Sequence, residues 1–309
     1  MPSRRHELLA RLIPRLRRSS ELDSVEAERA RLEHHHTLPG QGPQRGLPTS
    51  LVPFFHRRFT VVREELAGPG GSGFPAYVVT PRGRSPRRTL VHLHGGGFVS
   101  PIDPFHVRWA TRLATRLGAR VVLPDYPLAP EHTWRDSHRA LVDLTARWVA
   151  DSPDGVVLSG DSAGGGLALA VALTLRDEGV SPSHLLLIAP WVDLGESTPE
   201  TEAAARTDPW LTITKLRAYA AWWAGSEADL ERPEVSPALA DLSGLPPALM
   251  FFGTRDLLHP GGRLLTRRAR EAGWALTSVE EPGLIHVYPI LPIVPEARRA
   301  FGQTLEFLR

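Results

Sequence analysis

Residues 156–173 read VVLSGDSAGGGLALAVAL, and this stretch decides the fold. The run VVLSG is typical of a short buried strand, and the alanine- and leucine-rich run after the glycines is typical of a helix. Between them, residues 160–164 fit the pattern G-x-S-x-G, which presents the hydroxyl of Ser162 on a tight strand-to-helix turn. The plainer alternative is a serine that caps a glycine-rich helix start. The stretch therefore predicts a strand–turn–helix unit with a candidate nucleophile.

Strand-like and helix-like segments alternate from Phe59 to the end of the chain. Several of the middle strand-like segments are apolar on both faces, which is typical of a buried parallel sheet. Such alternation predicts an α/β fold, with a mostly parallel eight-stranded sheet flanked by helices. We expect the strands at residues 59–66, 74–80, 89–94, 119–125, 155–160, 184–190, 247–253 and 275–281.

Two segments interrupt this alternation. Residues 1–50 contain one or two amphipathic helices and a Gly/Pro-rich linker, and residues 195–245 form a helical insert with three tryptophans. Long inserts after sheet strands often form lids. We therefore expect both segments to build a helical cap on a main domain of residues 51–309. In the first helix, the residues expected to face inward are Leu9, Leu12, Ile13 and Leu16.

The composition excludes several classes of protein and of site. The 36 basic and 34 acidic residues give a net charge of +2, so no general attraction to nucleic acid or membrane is expected. The chain has no cysteine, which excludes disulfides and cysteine-ligated metals and fits a cytoplasmic location. No segment approaches the ~18 apolar residues of a membrane span, and residues 1–20 lack the pattern of a secretory signal. The histidines at 34–36 are expected to form a solvated loop, and we expect no metal.

A second glycine-rich stretch, HLHGGGF at residues 92–98, ends another predicted strand. A glycine inside a regular element costs about 0.5–1 kcal/mol relative to alanine, so three in succession indicate a close approach of the backbone to something. Acyl transfer builds negative charge on a carbonyl oxygen, and preformed backbone N–H groups stabilise that charge. Together the two motifs predict an oxyanion hole formed by the N–H groups of Gly96, Gly97 and Ala163. A plain turn would not need three glycines.

A general base and an acid that orients it are expected later in the chain, in the order serine, acid, histidine. Asp256 follows the predicted strand at 247–253, and His286 follows the last predicted strand. We expect His286 to accept the proton of the serine hydroxyl while Asp256 holds the imidazole ring. Asp193 and Asp241 remain alternatives for the acid.

The motifs resemble those of the bacterial hormone-sensitive-lipase family of α/β-hydrolase esterases. The matching stretches, in chain order, are HLHGGGF, LPDYPLAPEH, GDSAGGG, FGTRDLL and PGLIHVYP. The resemblance implies an α/β-hydrolase fold with a helical cap, and a serine carboxylesterase for short-to-medium acyl esters that uses no metal or organic cofactor. It also implies that a homodimer is common, and the C-terminal stretch resembles the branch with monoterpene lactone hydrolases. His94 and Glu131 are expected to support the glycine loop, and Asp161 is expected to be structural.

Candidate pocket residues are Phe98 beside the glycines, Trp210 in the insert and Val287 after the last strand. For Trp210, Trp222 and Trp223, packing of a helix against the core is an equal alternative. Three other functions stay open: a lactone hydrolase, an interfacial lipase that docks through the basic first helix, and a non-catalytic module that binds a small ligand. A binding module would be expected to lack a member of the triad, whereas this chain retains all three.

Overall fold

The computed structural model describes residues 1–16, 21–38, 46–68 and 73–309. The strands are β1 (Phe59–Ala67), β2 (Gly73–Pro81), β3 (Thr89–Leu93), β4 (Arg120–Pro124), β5 (Val156–Asp161), β6 (His184–Ile188), β7 (Ala248–Arg255) and β8 (Leu276–Ile285). The helices are α1 (Arg4–Leu16), α2 (Val25–Thr37), α3 (Phe55–Arg58), α4 (Pro104–Leu117), α5 (His138–Asp151), α6 (Ala163–Asp177), α7 (Thr201–Ala205), α8 (Ile213–Ala224), α9 (His259–Glu271) and α10 (Pro295–Phe307). Residues 39–45 of the predicted linker lie outside the described residues.

The eight strands form one sheet in the order β1-β2-β4-β3-β5-β6-β7-β8. Strand β2 pairs antiparallel with both β1 and β4, whereas every pair from β4 to β8 is parallel. The predicted mostly parallel sheet is confirmed. Because parallel strands end at the same edge, the turns after β3, β5, β7 and β8 converge there.

Each buried strand sends alternate side chains to opposite faces of the sheet. Leu90 of β3 packs in the same apolar cluster as Trp109 of α4 and Phe301 of α10. Its neighbour Val91 packs in the other cluster, with helices α5, α6 and α9. The sheet is therefore covered by helices on both faces, as its doubly apolar strands require.

The N-terminal segment and the insert both lie over the carboxyl edge of the sheet. Residues of α2 and α8 line one cavity together with the turns after β3 and β5. The outcome for α1 differs from the expectation, because Leu12 and Leu16 are exposed while Ile13 is buried. The expected loop at residues 34–36 is wrong as well, since these histidines form the last turn of α2.

Among the described residues, no helix combines the length and the apolar character needed to cross a bilayer.

Candidate active site

Ser162 occupies the tight turn between β5 and α6. Its backbone has φ +54° and ψ −126°, in a region where a residue with a Cβ is strained. The turn is possible because Gly160 and Gly164 flank it. A Cβ on Gly164 would lie 2.2 Å from the carbonyl oxygen of Leu93, and one on Gly160 would lie 2.1 Å from the carbonyl oxygen of Gly164. The sequence motif is thus explained by packing of the turn against the end of β3.

Three side chains from three turns form a continuous hydrogen-bonded chain. The Nε2 atom of His286 lies 2.8 Å from Oγ of Ser162, and its Nδ1 atom lies 2.8 Å from Oδ2 of Asp256. An ionised carboxylate only accepts hydrogen bonds, so Nδ1 carries the ring proton and Nε2 accepts from the serine hydroxyl. The alternative acids do not reach the ring: Asp193 accepts from Ser197, and the other, Asp241, accepts from Ser243.

The surroundings of His286 favour its protonated form. Burial by itself would lower the pKa of the ring, but the Asp256 carboxylate outweighs burial, and the pKa of His286 is raised above 6.5. Trp210 packs edge-on against the ring, with centroids 5.6 Å apart. The histidine is therefore held from two sides and readily becomes an imidazolium when it receives a proton.

Asp208, in the insert, ties the cap to this chain of side chains. One carboxylate oxygen accepts from the N–H of Leu257 at 2.6 Å, and the other accepts from the N–H groups of Trp210 and Leu211 at 2.7 and 3.1 Å. Burial, and next the neighbouring charge of Asp256, raise the pKa of Asp208 to about 6. This carboxylate fixes Trp210 beside the imidazole, and no motif in the sequence points to it.

The glycine loop after β3 lies beside Ser162. Gly96 and Gly97 line the same cavity as the serine hydroxyl. Gly96 has φ +120°, and a Cβ there would lie 2.8 Å from the carbonyl oxygen of Ser100, so only glycine fits. Ala163 is the first residue of α6, where backbone N–H groups have no acceptor within the helix. The loop and the helix start thus bring three candidate oxyanion donors next to one hydroxyl.

Asp161 braces the start of the glycine loop. It accepts from the N–H of Gly95 at 3.2 Å, and its two oxygens lie 3.3 Å from Nε2 of His92 and Nε2 of His106. Burial would raise the pKa of Asp161, but the rings of His106 and His92 outweigh it and hold that pKa well below its usual range. The carboxylate is thus a fixed anion in the base of the loop.

His94 and Glu131 contact the loop by different routes. The ring of His94 stacks on Tyr126 with centroids 4.2 Å apart, and complete burial lowers its pKa to about 3. Glu131 contacts His36 of α2 at 2.9 Å, and the same ring lies 2.8 Å from the carbonyl oxygen of Val99. Glu131 therefore reaches the loop through His36.

A cavity of about 610 Å³ opens onto Ser162. Trp210 and Val287 line it, whereas Phe98 does not. The ring of Phe98 is buried and stacks on Trp223, with centroids 4.2 Å apart and planes 3° apart. Phe98 and Trp223 thus join the cap to the core. The pocket position expected for Phe98 is therefore wrong. The backbone of Phe98 has a positive φ of +64°, and in this loop conformation its side chain points into the core.

A family model described as alpha/beta hydrolase fold matches residues 90–290, which include all three hydrogen-bonded side chains. The chain belongs to this family. An acetyl-hydrolase of Streptomyces hygroscopicus is 36% identical over 234 residues, covering 73% of this chain and 77% of that protein. The carboxylesterase/phospholipase LipF of Mycobacterium tuberculosis is 32% identical over 232 residues, covering 72% and 62%.

Comparison with solved structures extends the similarity to the full length of this chain. An esterase from the bacterial hormone-sensitive lipase family has a TM-score of 0.79 and 28% identity, covering 100% of this chain and 98% of that chain. A hyperthermophilic esterase from Pyrobaculum calidifontis has a TM-score of 0.77 and 29% identity, covering 100% and 98%. The chain thus belongs with the hormone-sensitive-lipase-like esterases, and a carboxylic ester hydrolase is the class of enzyme supported. The lactone-hydrolase branch stays a prediction.

The side of the cavity that α2 forms is charged. Glu28 of α2 bonds Arg31 twice at 2.7 Å and accepts from the hydroxyl of Tyr219 on α8. The Tyr219 ring lies over the glycine loop, where a Cβ on Gly97 would be 2.9 Å from it. The two cap segments are therefore joined directly above the candidate oxyanion donors, by residues that the sequence analysis did not identify.

Helix α1 supports the residue that precedes His286. Nε2 of the buried His6 accepts from the N–H of Ile285 at 3.0 Å, so its burial and the lowered pKa of its ring keep it neutral. Ser3 donates its N–H and its hydroxyl to Glu296, at 2.6 and 3.0 Å. The start of the chain is thus fastened to the segment that carries the candidate base. Only the basic, amphipathic character of this region signalled a helix, and nothing signalled these partners.

Proposed function

We propose that this enzyme is a serine carboxylesterase that hydrolyses short-to-medium acyl esters through an acyl-enzyme intermediate. The observation that carries the proposal is the chain of two 2.8 Å contacts from Ser162 through His286 to Asp256. The Ser162 end of this chain of contacts lies in a cavity that the glycine loop also lines. A nucleophile, a base, an orienting acid and oxyanion donors are the set of groups that acyl transfer requires.

The first half of the reaction forms a bond from Ser162 Oγ to the ester carbonyl carbon. His286 Nε2 takes the hydroxyl proton as the bond forms, and Asp256 stabilises the imidazolium. The carbonyl oxygen becomes an oxyanion, which the N–H groups of Gly96, Gly97 and Ala163 stabilise. When the intermediate collapses, the carbon–oxygen bond to the alcohol breaks and His286 returns its proton to the departing alcohol.

The second half repeats these steps with water as the nucleophile. His286 removes a proton from water while the hydroxide attacks the acyl carbon, and the same donors hold the oxyanion. Collapse breaks the bond to Ser162 Oγ, which recovers its proton from the ring. The products are a carboxylic acid and an alcohol, and the enzyme returns to its starting state without a cofactor.

The size and polarity of the cavity support the limit on acyl length. A volume of about 610 Å³ lies within the roughly 300–1,000 Å³ of ordinary small-molecule sites. Its α2 side carries the Glu28–Arg31 ion pair, in which Glu28 is buried and Arg31 is half-exposed, so a long alkyl chain pressed against that pair would remove water from the charge of Arg31. A short acyl group avoids this cost.

Ser162→Ala tests the nucleophile, with Ser100→Ala as the matched control because Ser100 lines the same cavity. On a p-nitrophenyl ester of butyric acid, we expect kcat to fall roughly 10⁶-fold for Ser162→Ala and to change little for Ser100→Ala. A fluorophosphonate should add one adduct to the unaltered protein and none to Ser162→Ala. Near-native turnover by folded Ser162→Ala would overturn the proposal.

The acyl preference needs its own measurement. Across soluble p-nitrophenyl esters from acetyl to dodecanoyl, we expect kcat/KM to be highest for the short and medium acyl groups. Higher rates on emulsions of long-chain triglycerides than on the short soluble esters would contradict this preference and favour an interfacial lipase.

A further inference from the structure

Helix α1 turns a cationic and apolar face toward solvent. Leu8, Leu12 and Leu16 are 60, 43 and 68% exposed, and they recur every four residues along the helix. The exposed arginines on the same side of the helix are Arg4, Arg5, Arg11 and Arg15. At 3.6 residues per turn, all seven positions fall within roughly 140° of the helix surface.

The opposite face of α1 already has its partners. Ala10 and Ile13 pack in one buried cluster with Ile285 and Leu291, while His6 accepts from the backbone of Ile285. The acidic Glu7 lies off the exposed face and contacts Arg255 at 3.4 Å. The leucine stripe is therefore not the side by which α1 docks on its own protein, and it remains in water at an energetic cost.

The buried face of α1 packs against a residue that lines the cavity. Leu291 packs beneath α1 and also lines the cavity, and Ile293, two residues further on, is 55% exposed. Helix α1 is therefore held close to the cavity that contains Ser162.

We infer that the outward face of α1 binds the surface of an anionic phospholipid membrane. Leucines on one side of a helix enter the boundary between headgroups and acyl chains, while arginines alongside them bind lipid phosphates. The four arginines supply the charge complementarity, and the three leucines supply the apolar insertion that a soluble anion would not use. This inference is independent of the hydrolysis proposed above, since it concerns where the protein binds.

A second copy of the chain fits this face less well. In a two-fold symmetric contact the same patch meets itself, so the arginines of the two copies would face one another across the interface. Like charges placed opposite each other oppose association. An anionic surface removes this repulsion and covers the leucines at once.

The test is co-sedimentation of the full-length protein with vesicles of ether-linked phospholipids, which an esterase cannot hydrolyse. Vesicles of phosphatidylcholine with phosphatidylglycerol should bind the protein, and vesicles of phosphatidylcholine alone should bind it weakly. Raising the salt to ~1 M, where the Debye length falls to about 3 Å, should release most of it. No binding to the anionic vesicles at low salt would overturn the inference.

Two double variants separate the contributions of charge and apolar surface. Arg11→Gln/Arg15→Gln should weaken partitioning about 30-fold, because each arginine near an anionic surface contributes about fivefold. Leu8→Ser/Leu12→Ser should weaken it by more than about tenfold. Both variants should retain the melting temperature and the turnover of soluble esters, because these side chains face solvent.

Matched controls come from other exposed surfaces. Arg267→Gln/Arg270→Gln on α9 removes the same charge, and Phe54→Ser/Val62→Ser removes exposed apolar surface. Neither should change vesicle binding by more than about twofold. An equal loss in the controls would show that any charge or apolar group suffices and would overturn the inference. The inference would also be overturned if sedimentation velocity showed that the unaltered protein is a dimer and that Leu8→Ser/Leu12→Ser is a monomer.

Discussion

Replacing Asp256 with asparagine tests how the imidazole of His286 is held. One oxygen of Asp256 accepts from Nδ1 of His286 at 2.8 Å, and the other accepts from the N–H of Leu258 at 2.9 Å. An asparagine has one oxygen and one NH₂ group. The N–H of Leu258 can only donate, so it keeps the oxygen, and the NH₂ group faces the ring. The ring must then accept at Nδ1 and carry its proton on Nε2, toward Ser162.

A ring protonated on Nε2 cannot take the hydroxyl proton of Ser162. The wrong tautomer of this kind lowers kcat by about 10⁴ in serine hydrolases, which corresponds to about 5.5 kcal/mol of transition-state stabilisation. Asp208 does not compensate, although the loss of the neighbouring charge lowers its pKa from about 6. Its oxygens remain occupied by the N–H groups of Leu257, Trp210 and Leu211.

The assay is the initial rate on a soluble p-nitrophenyl ester between pH 5 and 10, alongside thermal unfolding by circular dichroism. Asp193→Asn is the matched control, because Asp193 is a buried carboxylate after the neighbouring strand β6 that contacts Ser197 instead. The control should retain kcat within a few fold. If Asp256→Asn keeps its melting temperature and loses less than tenfold in kcat, the tautomer argument is wrong.

Three further outcomes are expected. Gly96→Ala should lower kcat about 10²–10³-fold, whereas Gly273→Ala, which also has a positive φ but open space around its Cβ, should leave ester kinetics unchanged; equal losses would contradict the clash at Gly96. Trp223→Ala should lower the free energy of unfolding in urea by about 3–5 kcal/mol because its ring is buried, and the half-buried Trp222 should cost less; the reverse order would refute this packing. Burial would lower the pKa of His286, but its carboxylate partner outweighs burial and raises that pKa above 6.5. Because only the neutral ring can accept the serine proton, kcat/KM should fall as the pH is lowered, with a midpoint above pH 6.5. A midpoint below pH 6.5 would contradict this.

The middle strands were predictable because their side chains meet core on both faces. All eight predicted segments overlap the eight strands, and the α/β-hydrolase fold is confirmed. The end of β8 was missed. It was expected to stop near Glu281, before Pro282 and Gly283, but it continues to Ile285. The register shifts between Gly253 and Arg255 of β7, and this irregularity lets the ladder continue past two residues that usually end strands.

The candidate catalytic residues could be predicted from the sequence because their order along the chain and their positions after strands follow from the chemistry. The supporting residues were not, since they depend on which segments meet in space. Asp208 is a single carboxylate in the insert, and the sequence there has no periodicity from which the direction of its side chain could be predicted. In α1 the sequence carries two apolar stripes, Leu9 with Ile13 and Leu8 with Leu12 and Leu16. Only the docking of one side on Ile285 and Leu291 decides between them.

The contacts of Ser3 and His6 have a consequence for synthesis on the ribosome. These residues are translated well before their partners Glu296 and Ile285, which are 293 and 279 positions later. Contacts so distant in sequence form late because a long loop must close first. Helix α1 must therefore wait until Ile285 and Glu296 have been translated before these contacts can form. Hydrolytic competence should appear only in nascent chains that extend past Glu296, rather than grow steadily with the length of the nascent polypeptide.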